Sequence, residues 1–329
     1  MLLKNNTTTE LHDYLVGNNW ITENENIIRV TKAGEGNMNY VVRVQTNKKS
    51  FICKQSAPYV EKYPQISAPE NRVQTEALFY QKIKKNQKIK KMMPELLGVD
   101  TQNNILFLED LGAIQDFSSL YELKMKLLNS ELLSLTEYLN ELHSSFKKEN
   151  NIVELENLEL RKLNYEHIFK YPFLDNNGFD LDTIQPGLQE LAKLITKNSN
   201  LKTAIAHLGT RYLENGKYLL HGDFYPGSWF NNRGKIMVID PEFCYYGQRE
   251  FDLGVLLAHL YLTNHKTDAI DLVKNNYIDY QNLNHHLLDG FTGVEILRRI
   301  IGLAQLPLKM DLVDKKKLLE KAQYLILNK

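Results

Sequence analysis

YLLHGDFYPGSWFNNRGKIMVIDPEFCYYGQREFDLG, residues 218–254, holds two apolar runs that each end in acid. Tyr218-Leu219-Leu220 stops abruptly in His221-Gly222-Asp223, and Ile236 to Ile239 stops in Asp240-Pro241-Glu242. Asn231, Asn232, Arg233 and Gly234 lie between them and read as a hairpin turn. Two short strands joined this way would bring Asp223, Asp240 and Glu242 near the same end of one small sheet. Buried strands ending in acids are costly unless the acids meet a cation or take part in chemistry. One acid to orient a hydroxyl and two to hold Mg²⁺ is the set that phosphoryl transfer from a nucleotide requires.

Upstream, IIRVT at 27–31 reads as a strand, and a second begins at Tyr40. Between them lie Gly34, Gly36, Asn37, Met38 and Asn39. Strand, glycine loop, strand is not the strand-loop-helix of a dinucleotide or Walker site. A glycine-bearing hairpin of this kind can lie over nucleotide phosphates, although most such hairpins are only turns. Gly36, Asn37 and Asn39 are the candidate contacts. A third strand, Ser50 to Gln55, carries Lys54. A lysine there is commonly an edge or snorkelling side chain, but after a glycine hairpin it takes the place of a phosphate-gripping lysine. A helix from about Asn71 to Lys84 carries Glu76, the candidate partner of Lys54; a solvated helix glutamate is the bland alternative. The proline-bounded loop 57–64 reads as a substrate or lid element, and KKNQKIKK at 84–91 as a solvated basic loop. Two further strands, near 94–99 and 105–108, complete a five-stranded antiparallel sheet with one inserted helix. Glu109, Asp110 and Leu111 then form a connection, a candidate hinge that could meet an adenine ring.

From Asn129 the apolar period becomes helical, with Leu132, Leu135, Leu139 and Leu142 on one stripe and His143 beside it as a structural histidine. The mixed stretch 150–187 reads as a substrate-facing insertion. Helices follow near 186–196 and 198–213. Beyond the central stretch, 251–262 is almost wholly apolar and reads as a buried helix, with Asp252 capping it or pinning the Asp223 loop. Further helices are expected from Thr267 or Asp268 to about Gln281, from Thr292 to Leu306, and over 311–327. His221 is read as a loop-orienting group. The fold class is α+β: residues 1–110 form a β-sheet lobe that binds nucleotide, and 111–329 a helical lobe with the acceptor site.

The 329 residues include 40 Lys+Arg and 40 Asp+Glu, so the chain has no net charge. That argues against a dedicated nucleic-acid binder. Cys53 and Cys244 make no zinc pattern and read as buried thiols of a reducing compartment. No apolar run is long enough to span a bilayer, and the N-terminus has no signal core. A cytoplasmic, soluble protein with no membrane partner is the expectation.

Taken together, Gly36 to Tyr40, Lys54-Gln55 with Pro58-Tyr59-Val60, Glu109-Asp110-Leu111, His221-Gly222-Asp223 with Gly227-Ser228, Asp240-Pro241-Glu242-Phe243 with Tyr246-Gly247, and Arg298-Arg299-Ile300-Ile301-Gly302 resemble the methylthioribose kinase family. That family stands within the aminoglycoside-phosphotransferase and choline-kinase group, with a bilobal protein-kinase-like fold. The match runs in order from about residue 34 to 305. HGD with a later Asp marks the wider group; the DPEF run, Ser228 and the paired arginines narrow it.

The resemblance implies ATP, Mg²⁺ and a small-molecule hydroxyl acceptor, 5-methylthioribose at its 1-hydroxyl, and it suggests a homodimer. It implies Asp223 as catalytic base, Asp240 and Glu242 as metal ligands, Lys54 as phosphate contact and Glu109 to Leu111 as adenine hinge. Ser228 stands where protein kinases place a metal-binding Asn. Arg298 and Arg299 correspond to an arginine pair near the reacting phosphate and sugar. Adjacent helix positions point about 100° apart, so the two are not expected to face the site equally; one would anchor a carboxylate. The family's loop usually reads HGDLHTGS, whereas this one reads HGDFYPGS, with Tyr225 and Pro226 in place of His and Thr. The alternatives are an aminoglycoside, choline-like or other sugar phosphotransferase of the same fold, and an inactive nucleotide-binding regulatory module.

Overall fold

A computed structural model describes residues 3–34, 36–123, 125–148 and 155–328. The chain divides into two compact units, residues 1–114 and 115–329.

The first unit opens with α1 (Thr8–Gly17), started by a capping box in which Thr7 and Glu10 satisfy each other's backbone amides. The sheet follows as β1 (Ile27–Lys32), β2 (Tyr40–Thr46) and β3 (Ser50–Gln55). The expected loop at 57–64 is instead a small hairpin of β4 (Tyr59–Val60) and β5 (Tyr63–Ser67). Then come α2 (Arg72–Ile83) and α3 (Gln87–Lys90). The basic run is thus partly helical, because Asn86 caps it by accepting from the amides of Lys88 and Ile89. The strands β6 (Leu96–Asp100) and β7 (Ile105–Glu109) complete an antiparallel sheet ordered β1-β2-β3-β7-β6. Alternation decides its faces: Val42, Val44, Phe51, Cys53, Ile105 and Phe107 turn inward onto Leu11 and Leu15 of α1.

The second unit is mainly helical. Its long α4 (Asn129–Ser145) buries the predicted leucine stripe. The stretch read as an insertion contains α5 (Leu158–Tyr165) and a π-helical turn over 166–170, both packed into the core; the start of that stretch, 150–154, lies outside the described residues. After α6 (Leu188–Thr196) and α7 (Ser199–Leu213) come β8 (Tyr218–Leu220), β9 (Trp229–Asn232), β10 (Lys235–Val238) and β11 (Tyr245–Gly247).

The expected pairing of the two acid-ended runs does not occur. The strand β8 pairs with β11, and β9 pairs with β10 about the Arg233-Gly234 turn. Strands of three or four residues carry too few side chains to name their partner. Trp229-Phe230 and Tyr245-Tyr246, broken by loop-like neighbours, supply the partners instead.

The remaining helices are α8 (Glu250–Leu262), α9 (Thr267–Asn276), α10 (His285–Ile301) and α11 (Leu312–Leu327). Neither Thr267 nor Asp268 caps α9, which ends five residues before Gln281. The start of α10 lies seven residues before Thr292, at a cap made by Asn284 accepting from Leu287, and the helix ends at Ile301 rather than Leu306. Side chains of α7, α8 and α11 pack with those of α10 in one core. No described helix is long and apolar enough to cross a membrane.

Candidate active site

In the first unit, Lys54 lies mid-strand, paired with Val41 on one side and Leu106 on the other. Its ammonium meets the Glu76 carboxylate at 2.6 Å, and both side chains are buried. The expected pair is therefore made. The glycine loop is tied to neighbouring elements of the same unit. Asn39 is buried, and its side-chain oxygen accepts from Arg72 Nε at 2.7 Å. The carbonyls of Asn37 and Met38 accept from the amides of Lys62 and Glu61 on the β4-β5 hairpin. Gly36 is forced by close approach: a Cβ there would lie 2.7 Å from the Asn39 carbonyl oxygen.

Arg72, which no sequence motif marks, is the hub. Its guanidinium also donates to the carbonyls of Met38, Ala57, Tyr59 and Pro69. The side chains of the 109–111 connection are likewise committed. Glu109 accepts from the Glu95 amide at 3.0 Å, and Asp110 accepts from Arg43 at 2.8 Å, from Ser50 and from the Gly112 amide. Leu111 is half-buried. Any adenine contact from this segment would come from its backbone.

In the second unit, Asp223 stands on the loop that follows β8. Gly222 adopts φ +86°, and a Cβ there would meet the Phe243 carbonyl oxygen at 2.1 Å, so glycine is required. The fully buried Asp252 pins the loop by accepting from the His221 amide at 2.7 Å and the Gly222 amide at 2.9 Å. His143 braces Asp252 from behind, with Tyr277 on its other nitrogen. His221 donates from Nε2 to the Ile239 carbonyl at 2.9 Å, as a loop-orienting group does. Ser228 donates to the Asp223 carbonyl at 3.2 Å, so its hydrogen is spent inside the loop.

Both arginines reach Asp223. Arg298 Nη2 lies 3.4 Å and Arg299 Nη2 3.3 Å from Asp223 Oδ1. The expected inequality fails because side chains this long converge despite the angle between their Cα positions. Both are anchored together on Glu295, one turn earlier, which the sequence reading did not single out. Its signal was legible: a carboxylate at i−3 and i−4 from two arginines inside an otherwise apolar run. Arg299 also stacks over the Tyr225 ring at 4.7 Å. Burial raises the Asp223 carboxyl above the usual range, and the two guanidiniums pull against that rise. The side chain keeps 23% exposure, so its desolvation is partial.

Asp240 follows β10 at φ +67°, a strained conformation for a side-chain-bearing residue and one that gathers at functional sites. Pro241–Phe243 then form a 3-10 turn in which Glu242 is buried. The chain here is not extended, so the expectation that Asp240 and Glu242 share one side of a strand is replaced by a turn. Among the described residues no group of three or more His, Cys, Asp or Glu is arranged to hold a metal. Two carboxylates suit Mg²⁺, which takes few protein ligands and fills its shell with phosphate oxygens and water.

A curated methylthioribose kinase of Bacillus velezensis is 27% identical over 327 residues, covering 86% of this chain and 80% of that protein. A family model described as fructosamine kinase matches residues 179–282. A choline kinase structure from Streptococcus pneumoniae superposes with a TM-score of 0.53 at 13% identity, covering 97% of this chain and 98% of that one. A spectinomycin phosphotransferase structure, in complex with ADP and spectinomycin, gives 0.52 at 13% identity, with 97% of each chain covered. The fold is the protein-kinase-like fold of these enzymes. The chain is a homologue of small-molecule kinases, and its curated homologues bear the name methylthioribose kinase. The α+β class expected from the sequence holds for this kinase fold.

Proposed function

We propose that the chain is an ATP- and Mg²⁺-dependent kinase for a small-molecule hydroxyl, with 5-methylthioribose at its 1-hydroxyl as the first acceptor. The observation that carries the reading is the Asp223 carboxylate, held on a pinned loop and faced by two guanidiniums. Asp223 accepts the proton of the attacking hydroxyl as its oxygen bonds to the γ-phosphorus and the bridging bond to ADP breaks. Arg298 and Arg299 offset charge on the transferring group. Lys54, oriented by Glu76, grips nucleotide phosphates, with the backbone of the Gly36–Asn39 loop beside them and that of Glu109–Leu111 for the base. Asp240 and Glu242 would hold Mg²⁺, which neutralises phosphate charge when bound. Ser228 and Asn39 serve this site by shaping loops.

The choice of acceptor is supported by the similarity to methylthioribose kinases over most of the chain. A second reading, another hydroxyl acceptor, is favoured by Tyr225, whose ring lies under Arg299 beside the base where the family usually has histidine. Measuring ATP consumption with Mg²⁺ against 5-methylthioribose, ribose, choline, homoserine and kanamycin tests both. Turnover of the thiosugar alone supports the first reading, turnover of another compound alone supports the second, and no turnover of any counts against the kinase.

A further inference from the structure

Glu295 is 2% exposed, yet it holds three cationic or polar donors. Oε1 accepts from Arg299 Nε at 2.8 Å and from His259 Nε2 at 3.0 Å, and Oε2 accepts from Arg298 Nε. Behind it, the Tyr121 hydroxyl meets His259 Nδ1 at 2.7 Å. Nε2 faces a carboxylate and must carry the ring hydrogen, so the tyrosine is the donor at Nδ1. Tyr121 and His259 are buried too. Burial pushes the His259 pKa down to about 4, so the ring is neutral at pH 7. Burial alone would raise the Glu295 carboxyl, but the guanidiniums and His259 outweigh it and keep Glu295 ionised.

The distances rank the two carboxylates that share the arginines. A charge-assisted N–H···O bond is about 2.7–2.9 Å long. Arg299 makes such a bond to Glu295 and only a stretched one, 3.3 Å, to Asp223. Arg298 likewise bonds Glu295 through Nε, while its Nη2 lies 3.4 Å from Asp223. The geometry points to Glu295, backed by His259 and Tyr121, as a clamp that holds both guanidiniums short of the Asp223 carboxylate. Released, a guanidinium closes on a carboxylate in a two-bond fork and occupies the lone pairs that a hydroxyl proton needs. Clamped, the pair lends charge at Asp223 without filling it. Glu295, His259 and Tyr121 act through the arginines and are positioning residues. Their service to catalysis rests on the reading of Asp223 as base; the clamp itself does not.

The test uses the full chain labelled with ¹⁵N-arginine, with Arg298→Lys and Arg299→Lys to assign the signals. The Nε–H resonances of Arg298 and Arg299 are expected to be protected from solvent exchange, and Glu295→Gln should abolish that protection. With an acceptor found by turnover, Glu295→Gln should lower kcat by about 100-fold, as for misplaced catalytic groups, while the KM for ATP stays within about twofold. His259→Leu should lower kcat less. His259→Gln, whose amide can donate to Glu295 and accept from Tyr121, should restore most of that loss. If Glu295→Gln fails to fold, the two His259 variants decide by the same NMR and kcat readouts. Protection that survives the loss of Glu295, or of the His259 donor, overturns the clamp. Lost protection with unchanged kcat overturns its catalytic service. If no acceptor turns over, the kinase reading falls, and the NMR signals alone decide for or against the clamp.

Discussion

Arg72 in the first unit and the Arg298-Arg299 pair in the second are all buried, but the acceptors described for them differ in kind. Arg72 gives its donors to the side-chain oxygen of Asn39 and to four main-chain carbonyls. Arg161 follows the same pattern, with the carbonyls of Glu156, Tyr212 and Glu214 and the Asn215 side chain. Neutral acceptors at the ends of several loops make such a guanidinium a staple. The pair at 298 and 299 instead lies between two carboxylates, Glu295 and Asp223. The pair sets charge against charge in a buried site, where such interactions are strong, whereas the bonds described for Arg72 end on neutral oxygens. Burial alone therefore does not tell the two kinds of arginine apart; the kind of acceptor does.

The sharpest break of that contrast is Asp223→Asn. The amide keeps the shape but accepts no proton, so turnover should fall by about 10³-fold or more. Binding of ATP, followed by calorimetry, should stay near wild type. Near-normal turnover would remove Asp223 from the role of base and leave the arginine pair a second staple.

A smaller effect separates the clamp from its surroundings by pH. Unfolded, the His259 imidazole protonates near pH 6.5; folded, burial holds its pKa at about 4. Between those values the unfolded state binds more protons, so stability declines as pH falls from 6.5 towards 4. The loss reaches about 3 kcal/mol for this group. Urea unfolding at a series of pH values should show the decline, and His259→Gln should flatten it. An equal slope in the variant would contradict a neutral, buried His259.

Arg72→Lys tests the staple. An ammonium has three donors for five acceptors, and each acceptor left without a partner costs about 1 kcal/mol, so about 2 kcal/mol of stability should go. Denaturant unfolding measures it. A loss of turnover out of proportion to that figure would show that Arg72 does more than staple.

Much of this architecture was legible in the residues. Alternation in 27–55 and the three-to-four spacing from Leu132 to Leu142 gave strand and helix types, because one buried face repeats often enough to fix the period. The pairing within 218–247 was not legible, since three-residue strands leave register to tertiary contacts. The Lys54–Glu76 pair followed from a lysine inside an apolar strand and a glutamate on the next helix. The Tyr121–His259–Glu295 chain did not, because its members lie far apart in sequence and nothing local joins them. His259 was visible as a polar interruption of 253–262, but nothing local names its partner. Arg72 hid for the opposite reason: at the start of a helix, an arginine reads as an exposed residue.

The smallest expected effect concerns Glu242, a buried carboxylate of the second unit like Glu295 and Asp252. Glu295 spends its charge on guanidiniums. Glu242 follows the strained Asp240 in a tight turn, and a divalent cation held by Asp240 would lie within two residues of it in the chain. Mg²⁺ is held by one or two carboxylates together with substrate phosphates, so losing one should weaken it without removing it. Glu242→Gln is therefore expected to raise the Mg²⁺ concentration for half-maximal turnover several-fold, with kcat at saturating Mg²⁺ within about threefold of wild type. A magnesium titration superimposable on wild type would place Glu242 with the structural groups and leave Asp240 as the carboxylate facing the metal.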